Sequence, residues 1–373
     1  MSTQTSRSGA RTGRSAARPA VAHLLEVEEV RRLTAEAVAI TFTVPEHLRA
    51  DYAFEAGQHV AVVGADGTRR PFSLCSSPAS GRWQIGVKRL PGGAFSDAEV
   101  SRLRPGDRLE VLTPSGRFVA VPDPGRSARY VALAAGSGIT PVLSIATALL
   151  EEEPGSQVTL ICADRTAASA MFLDELHDLK DRFLSRLQLV HVLSREQGEV
   201  PLLSGRLDTA RLDALLDVFV DRAEVDEWFL CGPQAMVTDL GEHLRRRGAA
   251  AVRSELFHAE VAPDSGPAPS TLGTGPASGD RACRVTVRLG GRSSELLLAP
   301  GGESVLDAAA VVRRDVPYAC KGGVCGTCRA RVVSGAVEMA ANYALEPDEV
   351  AEGYVLTCQS RPTGGPVVLD YDA

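Results

Sequence analysis

Three cysteines in one short loop, Cys320, Cys325 and Cys328, with a fourth at Cys358, constrain this chain more than any other feature. The C-x4-C-x2-C spacing followed by a distant cysteine is that of a plant-type 2Fe-2S site, in which four thiolates hold two bridged irons. Three ligands must converge from one loop, and Gly322, Gly323 and Gly326 let its N–H groups approach the sulfurs. Zinc also accepts four thiolates, but zinc ribbons supply two separated C-x2-C pairs rather than three ligands from a single loop. Cys320, Cys325, Cys328 and Cys358 are therefore the expected metal ligands. Cys75, Cys162 and Cys283 have no such grouping and are expected to be small buried hydrophobes. Nothing marks the chain as secreted, so redox cofactor binding outranks disulfides and the cytoplasm is the expected compartment.

At 373 residues, two or three domains are the default. Residues 1–20 carry Arg7, Arg11, Arg14 and Arg18 with no acidic residue and no secretory apolar region, and are expected to form a disordered tail. Residues 21–125 read as short alternating strands between Gly, Pro and Asp turns, which predicts an antiparallel β-barrel. Residues 126–260 alternate strands (131 onward, 158–162, 187–193, 228–230) with helices (to 150, and 170–180), the pattern of an α/β doubly wound sheet. Residues 261–280 hold four Pro, four Gly and three Ser and read as a linker. Residues 281–373 follow with a hairpin (284–289 and 295–298), a helix over 305–312, then the cysteine loop. The net charge of −7 argues against nucleic acid as a partner, and no apolar run is long enough to span a bilayer.

Two further motifs precede the cysteines. In Arg70-Pro71-Phe72-Ser73 an Arg is suited to a cofactor pyrophosphate, an aromatic ring to stacking on a flavin, and a hydroxyl to bonding flavin N5, where hydride arrives. Val87, Lys88 and Arg89 are candidates for the ribityl and phosphate region, and the turn Gly92-Gly93-Ala94-Phe95-Ser96 for a pyrophosphate cradle. Farther on, Gly136-Ser137-Gly138-Ile139-Thr140-Pro141 lies between an apolar strand and an apolar helix, where glycines admit a nucleotide pyrophosphate to a helix N-terminus. Arg165, Ser194 and Arg195 follow strands at the place where an adenosine ribose would rest. Two guanidiniums there favour the 2′-phosphate of NADPH, while the adjacent Asp164 keeps NADH open.

These segments resemble the ferredoxin-NADP reductase superfamily, whose flavin motif is Arg-x-Tyr-Ser/Thr and whose nucleotide loop is Gly-x-Gly-x-Thr-Pro. Phe72 stands where the family has Tyr, which keeps stacking and loses a phenolic hydrogen bond. The second Gly-rich turn with Ser96 implies FAD rather than FMN. By the same resemblance, the loop Cys231-Gly232-Pro233 sets a thiol beside the nicotinamide, and Phe257 is a ring over the flavin that nicotinamide displaces. Ser73, Cys231 and Phe257 are thus the candidate catalytic residues, with packing roles for Cys231 and Phe257 as the rival reading. The third domain is implied to be an α+β β-grasp ferredoxin.

Residues 316–329 (VPYACKGGVCGTCR), 342–347 (NYALEP) and 353–359 (GYVLTCQ) resemble the reductase subunits that serve phenylacetyl-CoA epoxidase. That likeness implies an NADPH-dependent reductase passing electrons through FAD and a 2Fe-2S cluster to a di-iron oxygenase. Reductases of steroid hydroxylases or hybrid-cluster proteins share the domain order, and a redox sensor or electron-carrier module is the alternative of another class. Rapid NADPH oxidation with cytochrome c as acceptor, lost on Cys325→Ser, is expected. Full retention of that activity in the variant would remove the cluster from the electron path.

Overall fold

Six strands open the chain: β1 (Ala22–Thr34), β2 (Ala37–Thr43), β3 (His59–Val63), β4 (Arg69–Ser73), β5 (Trp83–Lys88) and β6 (Arg108–Leu112). The computed structural model describes residues 21–65, 67–90, 95–96, 100–257, 282–299, 302–313, 315–345 and 347–373. The basic tail, the 261–280 linker, Gly92 and Gly93 lie outside the described residues. The strands form one antiparallel sheet in the order β4-β3-β6-β1-β2-β5. Its outer strands meet where Leu74 bridges Ile85 and the Cys75 N–H donates to the Gln84 carbonyl at 2.8 Å. Closure pairs the two edges of the sheet, and Val27, Ile40, Val60, Val62, Ile85 and Val111 fill the interior.

From Arg129 the period changes to strand and helix in turn: β7 (Arg129–Ala135), α1 (Ile139–Glu152), β8 (Gln157–Asp164), α2 (Leu173–Arg182), β9 (Leu187–Leu193), α3 (Thr209–Phe219), β10 (Glu227–Pro233), α4 (Gln234–Arg246) and β11 (Val252–Phe257). The parallel sheet runs β11-β10-β7-β8-β9. The chain winds outward from β7 to β9 and then returns to the other side, so a crevice opens between the carboxyl ends of β7 and β10. Two details differ from the sequence pattern. Helix α2 begins at Leu173 rather than at 170 because Phe172 adopts a left-handed conformation (φ 59°). Helix α3 lies where the pattern above places no element, although Leu212, Leu215 and Leu216 are buried at helical spacing and Asp208 caps it by accepting from the Arg211 N–H at 2.9 Å.

The barrel and the parallel sheet share an apolar core that joins Ala39, Cys75 and Phe118 to Ala132, Leu149 and Phe229. The Ser144 hydroxyl of α1 donates to the Ser76 carbonyl at 2.6 Å, and Arg31 pairs with Glu175 across the same junction. Close approach there requires glycine at two positions. A Cβ on Gly86 would lie 2.6 Å from Thr140 and 2.8 Å from the Phe172 ring, and one on Gly57 would lie 2.1 Å from the Phe118 carbonyl oxygen.

The last domain comprises β12 (Cys283–Leu289), β13 (Arg292–Leu298), α5 (Val305–Val312), β14 (Arg329–Met339), α6 (Pro347–Ala351), β15 (Tyr354–Leu356) and β16 (Ser360–Asp370). Its sheet order is β13-β12-β16-β14-β15, with β12 and β16 parallel and the other pairs antiparallel. Helix α5, capped by Ser304, packs its apolar side with Val285, Val287, Leu356 and Leu369, the α+β arrangement of a β-grasp. Cys75, Cys162 and Cys283 are buried free thiols.

Gly57 also has φ +100°, outside the region open to L residues. Gly57→Ala is expected to lower stability by more than about 2 kcal/mol, read from the urea midpoint by far-UV circular dichroism. An unchanged midpoint would mean that the junction yields freely at this point.

Candidate electron-transfer site

The cysteine loop curls because Lys321, Gly323 and Gly326 all take positive φ (53°, 77° and 67°). This turns backbone N–H groups inward. The Gly322 N–H donates to Cys320 Sγ at 3.3 Å, joined by Val324 and Cys325, while Thr327 serves Cys325 and Gly323 serves Cys358. Gln359 Nε2 donates to Cys358 Sγ at 3.6 Å. The thiols meet in two pairs, Cys320 with Cys325 and Cys328 with Cys358. Hydrogen bonding from the Cys325 thiol, reinforced by the loop N–H groups, draws Cys320 below the usual thiol range. Thiolates surrounded by amide donors are what an iron–sulfur cluster requires. Among the described residues no three metal-binding side chains gather about a single point. Two thiol pairs match two irons better than one tetrahedral zinc, so the donor set fits a 2Fe-2S cluster.

The flavin candidates line the barrel where β4 faces β5. Arg70 lies on β4, with Nη1 donating to the Thr68 carbonyl at 3.2 Å. Pro71 and Phe72 are half-buried, and the Phe72 ring sits 5.4 Å from that of the buried Phe95. Ser96 Oγ accepts from the Leu90 N–H at 3.2 Å. The Val87 side chain is buried in the barrel core, so its backbone is the part left to face a cofactor. Lys88 reaches toward the nucleotide loop, with Nζ 3.8 Å from where a Gly136 Cβ would be, and it opposes the upward shift of Asp164. Arg89 is exposed at the strand end.

The nucleotide candidates converge at the crevice. Gly136 has φ 55°, and a Cβ on Gly138 would lie 2.3 Å from the Cys231 carbonyl oxygen, so the two loops run in contact. The buried Thr140 donates to the Ser137 carbonyl at 2.9 Å, and the buried Pro141 opens α1 beside it. Gly232 is buried and Pro233 exposed next to it. Cys231 is fully buried, and burial pushes its thiol well above the usual range. Arg165 and Arg195 are both exposed, with neighbouring backbones: the Arg195 N–H donates to the Arg165 carbonyl at 2.8 Å and the Ser194 N–H to the Asp164 carbonyl at 2.9 Å. Burial raises Asp164 to about 6.

The three regions meet at a buried junction that the motifs did not disclose. Ser73 donates its hydroxyl to the carboxylate of Glu255, a residue beside Cys231 in the sheet. Phe257, two residues on, is half-buried against the shared core. Glu255 Oε1 lies 3.9 Å from His59 Nδ1, Oε2 is buried without a partner, and burial lifts the acid to about 8. The opposite nitrogen of His59, Nε2, is 3.2 Å from Thr327 Oγ1 inside the cysteine loop. His59 is buried, which lowers it to about 4, and as one more strand residue it carried no sequence signal.

A closed barrel with a flavin motif, a nucleotide-binding sheet and a four-cysteine loop around one junction define an iron–sulfur flavoprotein reductase. Family models agree: an oxidoreductase FAD-binding domain over residues 24–119, an oxidoreductase NAD-binding domain over 132–241 and a 2Fe-2S iron-sulfur cluster binding domain over 281–363. The chain is 43% identical to one of the subunits of the 1,2-phenylacetyl-CoA epoxidase of Escherichia coli K12, over 94% of this chain and 98% of that one. It is 34% identical to the 3-ketosteroid-9-alpha-monooxygenase ferredoxin reductase component of Mycolicibacterium smegmatis, over 95% and 99%. Among solved structures, phthalate dioxygenase reductase superposes with TM-score 0.55 at 25% identity, covering 94% of this chain and 98% of that one. Full-length CYP116B46 from Tepidiphilus thermophilus gives 0.65 at 28% identity, covering 98% of this chain but only 44% of the larger protein. The chain belongs to the family of FAD- and nicotinamide-dependent 2Fe-2S oxygenase reductases that includes this phenylacetyl-CoA epoxidase component.

Glu255 yields a pH dependence. Between its ordinary value of 4.5 and the folded value of about 8, the unfolded chain ionises this group while the folded chain keeps its proton. Its contribution to stability is therefore full below pH 4.5 and lost as pH rises through about 8. Glu255→Gln is expected to gain on the wild type progressively across that window in urea titrations, and a pH-independent difference would show that the carboxyl ionises normally.

Proposed function

We propose that the chain draws hydride from NADPH and feeds single electrons to the di-iron oxygenase that epoxidises phenylacetyl-CoA, in the cytoplasm, where its thiols stay reduced. The observation that carries the electron path is the seating of the cysteine loop on the flavin barrel. Ala319 and Cys325 pack on Ala61 and Leu112, and Thr327 bonds His59. Domain limits at 21–125, 126–260 and 281–373, joined by a 261–280 linker, belong to the same proposal.

When bound, flavin takes two electrons as hydride and the 2Fe-2S cluster carries one at a time. The protein supplies position and charge. Phe72 offers a ring face beside Phe95, Arg70 and Arg89 offer guanidiniums to the pyrophosphate, and Gly136 and Gly138 with Gly232 and Pro233 keep the crevice open to a nicotinamide. Ser73 and Glu255 hold a hydroxyl and a carboxyl proton at the junction, with the bare Glu255 Oε2 available to receive or release it. Cys231 packs at the crevice floor as a neutral thiol, suited to alignment rather than nucleophilic attack, and Phe257 shields the junction from water.

Arg165 and Arg195, with Ser194, are the proposed 2′-phosphate site. Each charged hydrogen bond is worth about 1.5–3 kcal/mol, so Arg165→Ala with Arg195→Ala is expected to cut the NADPH over NADH ratio of kcat/KM by about ten-fold or more. An unaltered ratio would leave NADH as the natural donor. For the acceptor, the test is NADPH consumption with a reconstituted epoxidase oxygenase under air. Consumption that requires phenylacetyl-CoA and matches epoxide formed supports the partner. Flavin and cluster reduction without coupling would direct the search to another oxygenase, such as a steroid hydroxylase.

A further inference from the structure

Helix α6 and its flank carry an acidic run, Asp348, Glu349 and Glu352, of the kind that suits an external partner. One member is not available to it. The Glu349 side chain is only 7% exposed and divides its oxygens between two domains. Oε2 accepts from Arg117 Nη1 of the flavin domain at 2.5 Å, and Oε1 accepts from Arg329 Nη1 of the ferredoxin domain at 3.0 Å. Arg329 is itself fixed, with its guanidinium 4.1 Å above the Tyr354 ring. The Arg117 stem passes directly over the cysteine loop, its Cδ 3.8 Å from where a Gly326 Cβ would be. An ion pair buried on its carboxylate side thus holds an arm of the flavin domain against the segment between Cys325 and Cys328.

We propose that Arg117 and Glu349 form an electrostatic clamp that keeps the ferredoxin domain in the position where the cluster receives electrons from the flavin. Arg117 is a positioning residue, acting through Glu349 and the loop rather than touching a reacting atom. The step it governs is the transfer of one electron: reduced flavin loses it, the oxidised pair of irons gains it, and no bond is made or broken. The contacts of His59 with Thr327 and of Arg69 with the Val316 carbonyl and the Tyr318 ring lie in the same interface. The Arg117–Glu349 pair joins two full charges, and so it should impose a dependence on salt. The inference rests on the flavin-to-cluster path proposed above and is independent of which oxygenase follows.

The test is anaerobic stopped-flow reduction of the FAD- and cluster-loaded chain by NADPH, following flavin and cluster bleaching separately at low and high salt. Arg117→Ala leaves Glu349 paired with Arg329, so folding should survive. The expected result is unchanged flavin reduction, cluster reduction slowed by about ten-fold at low salt, and convergence with the wild type at high salt. Arg117→Lys should restore most of the rate, which mere loss of packing would not predict. Equal cluster rates in wild type and Arg117→Ala at every salt concentration would overturn the clamp while leaving the electron path intact. A wild type whose flavin bleaches but whose cluster does not would overturn both.

Discussion

The packing of the cysteine loop against the flavin barrel is the contact on which the rest of the molecule depends. Electron transfer weakens steeply with distance, so a one-electron carrier on a separate domain is useful only if its ligands approach the flavin. Here Ala319 and Cys325 lie on Ala61 and Leu112, and His59 joins the loop to Glu255. The position is stabilised by apolar contact at the centre and by charge at the edge. That combination suits a docking that must be specific without being permanent.

Between the barrel and the parallel sheet the logic is different. Their shared core, with Gly57 and Gly86 allowing backbone-close approach, makes them one packed body. Hydride transfer demands a fixed geometry between two rings, and a continuous apolar junction is the means of maintaining it. The ferredoxin domain has its own separate core, built around Val285, Leu306 and Leu369. A self-sufficient core lets it meet the flavin domain through surface contacts alone.

The buried acid at this junction illustrates how burial alters chemistry. Glu255 sits between Ser73, His59 and the cysteine loop, and loss of solvent raises it into the neutral range. His59 is pushed the other way by the same burial and stays neutral. Two groups that would both be charged at mildly acidic pH in water are therefore both neutral in the fold, which keeps the junction free of isolated charge.

Much of this was legible from sequence because covalent spacing carries the information. Cys320, Cys325 and Cys328 fall in one short loop whatever surrounds them, Gly136 and Gly138 must open a loop, and the spacing of apolar residues states which face of each element is apolar. Val87 shows what packing adds: it adjoins Lys88 in the motif, and the barrel takes its side chain into the core. Phe172, whose ring lies against Gly86, takes a left-handed conformation just before α2 begins. His59, the partners of Glu255 and the Arg117–Glu349 pair were beyond reach. Glu255 belongs to the last strand of the nucleotide domain while its partners His59 and Ser73 belong to the barrel, and Arg117 lies 232 residues from Glu349 along the chain. Local spacing determined which cofactors the chain can hold; only the tertiary structure decided how their sites meet, because long-range proximity depends on packing that no short motif encodes.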